Sequence, residues 1–253
     1  MKYPNDYINH IICGDCLKVM KDIPDDSIDL IIIDPPYLVT NEFWDKEEVV
    51  NGDLSKRLFD ILKDAGSLYV WCGIGEKSQS LIRWFPIFNA NFYFKDLITW
   101  KKQRGIGMRR GWLYTREEIM WFVKDNKKFV WNKEEQYSIV ERHVYGFKTL
   151  KSGKGSIFKR LSNVWGDIRE CTFRANIDKA QYRGHFTPKP IEAIERIIKL
   201  HTKENDIVLD CFLGLGTTAI ACIKLKRKCI GIEINPEYCK LTANRIKAMK
   251  ITA

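Results

Sequence analysis

The stretch Asp206-Ile207-Val208-Leu209-Asp210-Cys211-Phe212-Leu213-Gly214-Leu215-Gly216-Thr217-Thr218-Ala219 runs from an apolar strand, residues 206–212, into a helix over residues 217–225. Glycines at such a junction let the backbone turn tightly and approach a ligand, and the helix N-terminus offers unpaired N–H groups. Glu233 ends the next strand, residues 228–234. In a doubly wound sheet those two strand ends are neighbours, so its carboxylate can accept hydrogen bonds from ribose hydroxyls. Gly214-x-Gly216-x-x-Ala219 also satisfies the relaxed dinucleotide fingerprint, which is weak when it stands alone. At this point a nicotinamide oxidoreductase and a plain structural turn both remain open.

Outward from this junction the same grammar recurs. Residues 236–250 read as a closing helix, and Thr187-Pro188 as an N-cap with proline at the first helical position. Ile191, Ile194, Ile197, Ile198 and Leu200 then fall at helical spacing. In the first hundred residues, 10–13, 28–33 and 67–71 are short continuous apolar runs suited to buried parallel strands. Residues 16–23 and roughly 47–63 suit helices, with Pro24 and Gly66 as breakers. Residues 97–101 and 119–123 are further strands, whereas 126–182 is polar, studded with aromatics and short of periodicity. The pattern predicts an α/β protein, a three-layer sheet covered by helices on both faces, with an inserted segment. The expected division is residues 1–125, an insertion at 126–183, and 184–253.

Composition narrows the class. The chain has 253 residues, 45% of them hydrophobic, enough for a full core. It lacks an apolar run of membrane-spanning length, and its polar N-terminus does not have the layout of a signal peptide. A soluble cytoplasmic protein with no membrane partner is expected. The eight cysteines are scattered, several inside apolar runs, so most read as reduced core residues. Cys13-Gly14-Asp15-Cys16 has CxxC spacing without a second ligand pair, and no metal is expected. Residues 101–185 hold 20 Lys and Arg against 9 Asp and Glu, so the whole surplus behind the net charge of +10 lies there. Such a patch is what a polyanion partner would meet.

The strand Asp29-Leu30-Ile31-Ile32-Ile33 ends in Asp34-Pro35-Pro36-Tyr37. Two prolines cannot donate to a sheet ladder and lock φ, so the strand stops in a rigid loop at the carboxyl edge, where ligands bind. Asp-Pro is also ordinary turn chemistry. That alternative accounts for the prolines but not for an acid and an aromatic flanking them. An exocyclic amino nitrogen of a nucleic-acid base has its lone pair delocalised into the ring, so a catalyst must accept its N–H groups. The Asp34 carboxylate and the Pro35 carbonyl are two such acceptors, and Tyr37 can stack a base drawn out of its helix.

Together these residues resemble the amino-methyltransferases of DNA, and the motif order places the chain with their β class over nearly its whole length. Asp34-Pro35-Pro36-Tyr37 resembles the catalytic motif, Asp210 through Thr218 the cofactor loop, and Glu233 the ribose-binding acid. His185-Phe186-Thr187-Pro188-Lys189-Pro190 is similar to the segment contacting the methionine part of the cofactor, and Gly14-Asp15-Cys16 to the motif that meets its adenine. Trp100-Lys101-Lys102 and Glu117-Glu118-Ile119-Met120-Trp121 resemble later framework motifs. The resemblance implies S-adenosyl-L-methionine as cofactor, with Asp15, Cys16, Asp34, His185, Phe186, Thr187, Lys189, Asp210, Phe212, Gly214, Gly216, Thr217, Thr218 and Glu233 as its contacts. It also implies a Rossmann-like methyltransferase sheet, circularly permuted, with catalytic half, target-recognition insertion and cofactor half in the divisions above. Cys211 and Leu215 stand where the family usually has proline and serine, which predicts altered loop packing rather than loss of the cofactor.

By the same resemblance, an acid opening the tetrapeptide favours adenine N6 over cytosine N4. Double-stranded DNA is the expected polymer, methylated by base flipping, with Arg109, Arg110, Lys127, Lys128, Lys159, Arg160, Arg169 and Arg174 as candidate contacts of a nucleoid-associated enzyme. A cognate restriction endonuclease and a second copy of the chain are further candidate partners. The competing readings are an RNA or protein-amide methyltransferase, a catalytically silent DNA-binding module and the nicotinamide oxidoreductase. His143 receives no role.

Overall fold

A computed structural model describes residues 1–106, 112–139, 158–170 and 188–251. In chain order the elements are β1 (His10–Cys13), α1 (Cys16–Met20), β2 (Ile28–Ile33), α2 (Gly52–Ile61), β3 (Leu62–Cys72), α3 (Ser80–Asn89), β4 (Tyr93–Ile106) and β5 (Tyr114–Val123). The short strands β6 (Tyr137–Ile139), β7 (Phe158–Arg160) and β8 (Val164–Trp165) follow. Then come α4 (Ile191–His201), β9 (Ile207–Asp210), α5 (Thr217–Lys224), β10 (Lys228–Glu233) and α6 (Pro236–Ile251). Eight strands form one sheet in the order β1-β10-β9-β2-β3-β5-β4-β8, and β6 pairs with β7 apart from it.

The alternation of side chains along β2 builds the two interfaces of the three-layer fold. Ile31 and Ile33 point into a core shared with Leu54, Leu58, Trp84 and Phe88 of α2 and α3. Leu30 and Ile32 point to the opposite core, against Ile194, Ile197 and Ala221 of α4 and α5. Because consecutive strand residues face opposite ways, an all-apolar run is what a sheet covered on both faces requires.

The permutation expected from the motif order is present. β1 lies parallel beside β10, with His10 opposite Ile230 and Cys13 opposite Glu233. β9 is flanked by β10 on one side and β2 on the other, so the winding reverses between β9 and β2. A crevice opens at the carboxyl ends of strands where the order reverses.

Several elements depart from the expected bounds. β4 and β5 pair antiparallel from Tyr93 opposite Val123 to Ile106 opposite Tyr114. A hairpin ladder needs no apolar periodicity, so polar residues prolong both strands. The sequence pattern does not mark α3, because Pro86 lies inside it and reads as a breaker. α4 starts at Ile191 with Pro190 as N-cap, three residues beyond the expected proline start at 188. Pro190 disfavours helical backbone at Lys189, which keeps Lys189 outside the helix. β8 joins the main sheet beside β4, and Trp165 and Ile168 are buried in its core, so residues 164–168 are stitched into the central domain, while β6 and β7 pair apart from the sheet. Among the described residues no helix is long and apolar enough to cross a membrane.

Candidate active site

Asp34 follows the last residue of β2 and Asp210 ends β9, so the strand reversal brings the two acids to one crevice. Asp34 Oδ1 accepts a hydrogen bond from the Tyr37 hydroxyl at 2.6 Å, and Lys189 Nζ lies 3.1 Å from Asp34 Oδ2. Each carboxylate oxygen retains a second lone pair for another donor. The Tyr37 ring leans on Trp84, with centroids 5.7 Å apart, while the Lys189 ammonium sits 5.3 Å from the Tyr37 ring and 5.1 Å from the Trp71 ring. Burial, then the charges of Asp34 and Glu117, push the Tyr37 hydroxyl well above its ordinary pKa. It therefore remains a donor to Asp34 at neutral pH.

The loop after the tetrapeptide is organised by one buried acid. Asp45 is 2% exposed and accepts backbone N–H groups from Leu38 at 2.6 Å, Val39 at 2.9 Å and Thr40 at 2.6 Å. A carboxylate that gathers three successive amides folds the segment back, and this carries Trp44 to within 6.3 Å of the Tyr238 ring. Both aromatics line a cavity of about 1180 Å³, counted with its open mouth.

Asp15, Cys16, Asp34, Pro35, Pro36, Tyr37, Lys189, Phe212, Gly214 and Glu233, all singled out in the sequence, line that cavity. Asp210, Thr217 and Thr218 line an adjoining recess of about 420 Å³, which shares Asp34, Lys189, Phe212 and Gly214 with it. Glu233 is held by two backbone amides, Gly214 N–H to Oε2 and Asn235 N–H to Oε1, each at 2.7 Å. Its pKa is raised by burial, against which those amides pull. Asp210 accepts from the Thr218 hydroxyl at 2.6 Å and the Phe212 amide at 3.0 Å, yet burial still pushes it up to about 7. Asp15 caps α1, its Oδ1 accepting from Lys18 N–H at 3.0 Å.

Gly216 does not line either space. Its φ is +78°, and a Cβ there would stand 2.2 Å from Thr242 Cγ2, so this glycine serves the close approach of α5 to α6. Cys211 and Leu215, the two departures from the family pattern, are buried, Leu215 against Tyr238 and Trp44. His185, Phe186 and Thr187 lie outside the described residues, as do Arg109, Arg110, Arg174 and His143.

Among the described residues, the candidate nucleic-acid contacts are spread over different elements: Lys127 and Lys128 follow β5, Lys159 and Arg160 lie in β7 and Arg169 follows β8. β5 is antiparallel to β3, so Lys127 and Lys128, just after its end, lie at the sheet edge opposite the cavity, and Lys128 is paired with Asp64 at 2.9 Å and Asp125 at 3.3 Å. β8 runs parallel to β4, so the chain beyond Trp165 heads toward the cavity edge, where Arg169 is exposed. Arg160 and Lys159 belong to β7. Residues that sequence reasoning missed include Trp44, Trp71 and Tyr238 on the walls, and Glu117, which had looked like framework. The signal for Tyr238 was its place in the first turn of the helix after Glu233; nothing local marked Trp44.

Comparison with known proteins shows the family and the fold. The family model for DNA methylases of the N6/N4 type matches residues 28–244. Type II methyltransferase M.HpaI of Haemophilus parainfluenzae is 30% identical over 246 residues, covering 93% of this chain and 73% of that protein. DNA adenine methyltransferase YhdJ of Escherichia coli K12 is 30% identical over 253 residues, covering 93% of this chain and 82% of its own. The crystal structure of the M1.HpyAVI–SAM complex superposes with a TM-score of 0.61 at 24% identity, over 93% of this chain and 97% of that one, and so shares the fold.

Proposed function

The chain belongs to the N6/N4 family of DNA methylases, and from that premise we propose that it transfers a methyl group to adenine N6 in duplex DNA by drawing the base out of the helix. The observation that carries this reading is the convergence of the tetrapeptide and the glycine loop, more than 170 residues apart in the chain, on one open cavity.

S-adenosylmethionine is the cofactor, and it supplies a sulfonium-bound methyl that an amino nitrogen can accept. The lining fits it. The amides holding Glu233 leave each oxygen a lone pair for ribose hydroxyls, and Asp15 lies at the same wall. Trp44, Phe212 and Tyr238 offer aromatic and apolar surface for its adenine, and Asp210 an acid for its ammonium group. Asp34 and the Pro35 carbonyl accept the two amino hydrogens of the target base, which returns the lone pair to nitrogen, and Pro36 keeps both acceptors rigid. Tyr37 presents its face to the base and its hydroxyl to Asp34. The proton released after transfer goes to Asp34 or to water.

Duplex DNA is the substrate this basic chain serves. Residues 101–116, which span the β4–β5 hairpin, contain six Lys and Arg and no Asp or Glu. The β4–β5 ladder continues to Ile106 opposite Tyr114, beyond Glu118, which pairs with the end of β3, and Trp112 is 92% exposed. Residues 1–125 form the catalytic half, 126–183 the target-recognition insertion and 184–253 the cofactor half. Adenine is favoured by Asp34 at the head of the tetrapeptide and by the adenine-specific relative. Transfer of labelled methyl to duplex DNA and to RNA, followed by modified-base sequencing, tests the reading. N6-methyladenine in DNA is the expected product. N4-methylcytosine would overturn the base assignment, and transfer to RNA alone would overturn the polymer.

A further inference from the structure

Behind the tetrapeptide lies a row of charges alternating in sign. Lys189 Nζ stands 3.1 Å from Asp34 Oδ2, 2.8 Å from Glu117 Oε2 and 3.4 Å from the Tyr37 hydroxyl. Lys102 ion-pairs with the other oxygen of Glu117. The side chains of Lys189 and Glu117 are 10% and 12% exposed. Asp34 arrives from the end of β2, Lys102 and Glu117 from the two strands of the β4–β5 hairpin and Lys189 from the segment before α4, so three distant parts of the chain build the row.

Taking such charges out of water is costly unless each has partners, and removing one leaves an uncompensated charge. Burial alone would raise Glu117, yet Lys189 and Lys102 hold it down to about 2. Burial would likewise lower Lys189, but Asp34 and Glu117 outweigh it and the ammonium stays protonated. An ammonium with a single carboxylate partner would settle on that partner. Here it is shared between two.

We infer that Glu117 is a positioning residue of the methyl transfer: it holds the Lys189 ammonium back from Asp34, so that Lys189 steadies the catalytic carboxylate without occupying the lone pair that receives the target amino group. This rests on the reading of Asp34 as the amino acceptor. Lys189, which resembles a cofactor contact in the sequence, then acts on the carboxylate itself.

In Glu117→Gln the oxygen partner survives but its charge is gone, and Lys189 draws onto Asp34. The expected result is a fall in kcat of about tenfold or more, with cofactor affinity and KM for DNA within about twofold. A basic limb should also enter the kcat–pH profile at lower pH than in the wild type, because Lys189 loses one of the two carboxylates that keep it charged against burial. The other groups facing Lys189 do not produce that limb. Tyr37 and Cys72 are both pushed upward by burial and neighbouring acids, and Trp71 does not titrate. Glu117→Asp restores the charge and should remove the limb.

Should Glu117→Gln prove unstable, the paired variant Glu117→Met with Lys189→Met removes the two most buried charges together, and the groups that lose a partner, Lys102 and Asp34, are the more exposed ends of the row at 19% and 31%. Its kcat should equal that of Lys189→Met alone, since Glu117 acts only through the ammonium. A wild-type rate and pH profile in Glu117→Gln, or a further loss in the paired variant, would overturn the inference. Asp34→Ala serves as the separate control: if it stays active, the reading of Asp34 fails, whereas an inactive Asp34→Ala beside a normal Glu117→Gln refutes Glu117 alone.

Discussion

The two edges of the sheet each bury titratable groups, and they treat them in opposite ways. At the carboxyl edge, Lys189 and Glu117 stay ionised because opposite charges surround them. At the other edge His201, 2% exposed, is held neutral, pulled down to about 4 by burial. Its Nε2 accepts from the Tyr69 hydroxyl at 2.6 Å, and Nδ1 donates to the Val130 carbonyl at 2.7 Å, an assignment that follows because a carbonyl can only accept. Tyr69, Trp121 and Trp131 enclose the ring at centroid distances of 5.1–5.3 Å. Both places show large shifts, and the carboxyl edge is the one that opens on the cavity described above. Charge retained against burial beside an open space, rather than burial itself, marks the working edge.

The contrast can be broken most severely at Asp34. Asp34→Ala should cut methyl transfer by about 10³-fold or more while calorimetric affinity for S-adenosylmethionine stays within about threefold. Near-normal turnover would end the mechanism. The next largest effect concerns Asp210. Because it titrates near 7, a cationic cofactor should bind more weakly as the pH falls through that value, by up to about tenfold per pH unit, with proton release on binding. Asp210→Asn should flatten the dependence, and an equally steep curve in that variant would reassign the group.

At the sealed edge the expected signature is in stability. The folded imidazole titrates near 4 and the unfolded one near 6.5, so between those values the unfolded chain binds more protons. Stability is full at neutral pH and falls as the pH is lowered through that window. His201→Phe keeps the ring contacts but loses the hydrogen bonds to Tyr69, Val130 and Ser67. It should cost about 1–3 kcal/mol in urea unfolding at pH 7, remove that stretch of pH dependence and leave kcat unchanged. A change in kcat would mean that the two edges are coupled. The smallest effect is expected at Lys127 and Lys128. Replacing both by alanine should change DNA affinity by less than about twofold and leave its salt slope nearly unaltered, since they sit on the sealed edge. A steep drop would place DNA on a face far from the cavity.

Much of the catalytic edge could be read before any coordinates. The apolar run 28–33 requires a strand covered on both faces, Pro35 and Pro36 end it, and the glycine loop announces a ligand. Gly216 was legible as necessary but not for its reason: its missing Cβ makes room for Thr242 of α6 rather than for a ligand. α3 was hidden by Pro86, and Trp44 by a loop whose shape depends on Asp45 collecting three amides. Glu117 looked like strand framework because its partner lies 72 residues away.

The sequence by itself determined the sheet, the permuted order of its halves and the groups able to meet an amino nitrogen and a nucleoside cofactor. Those follow from local patterns: side-chain periodicity, prolines that end a strand and glycines that permit a turn. Only the tertiary structure decided what each charge faces. Coulombic pairing and desolvation depend on distances across elements, and so the surroundings of Lys189, Glu117 and His201 emerge when the winding of the sheet reverses between β2 and β9 and the chain closes around them.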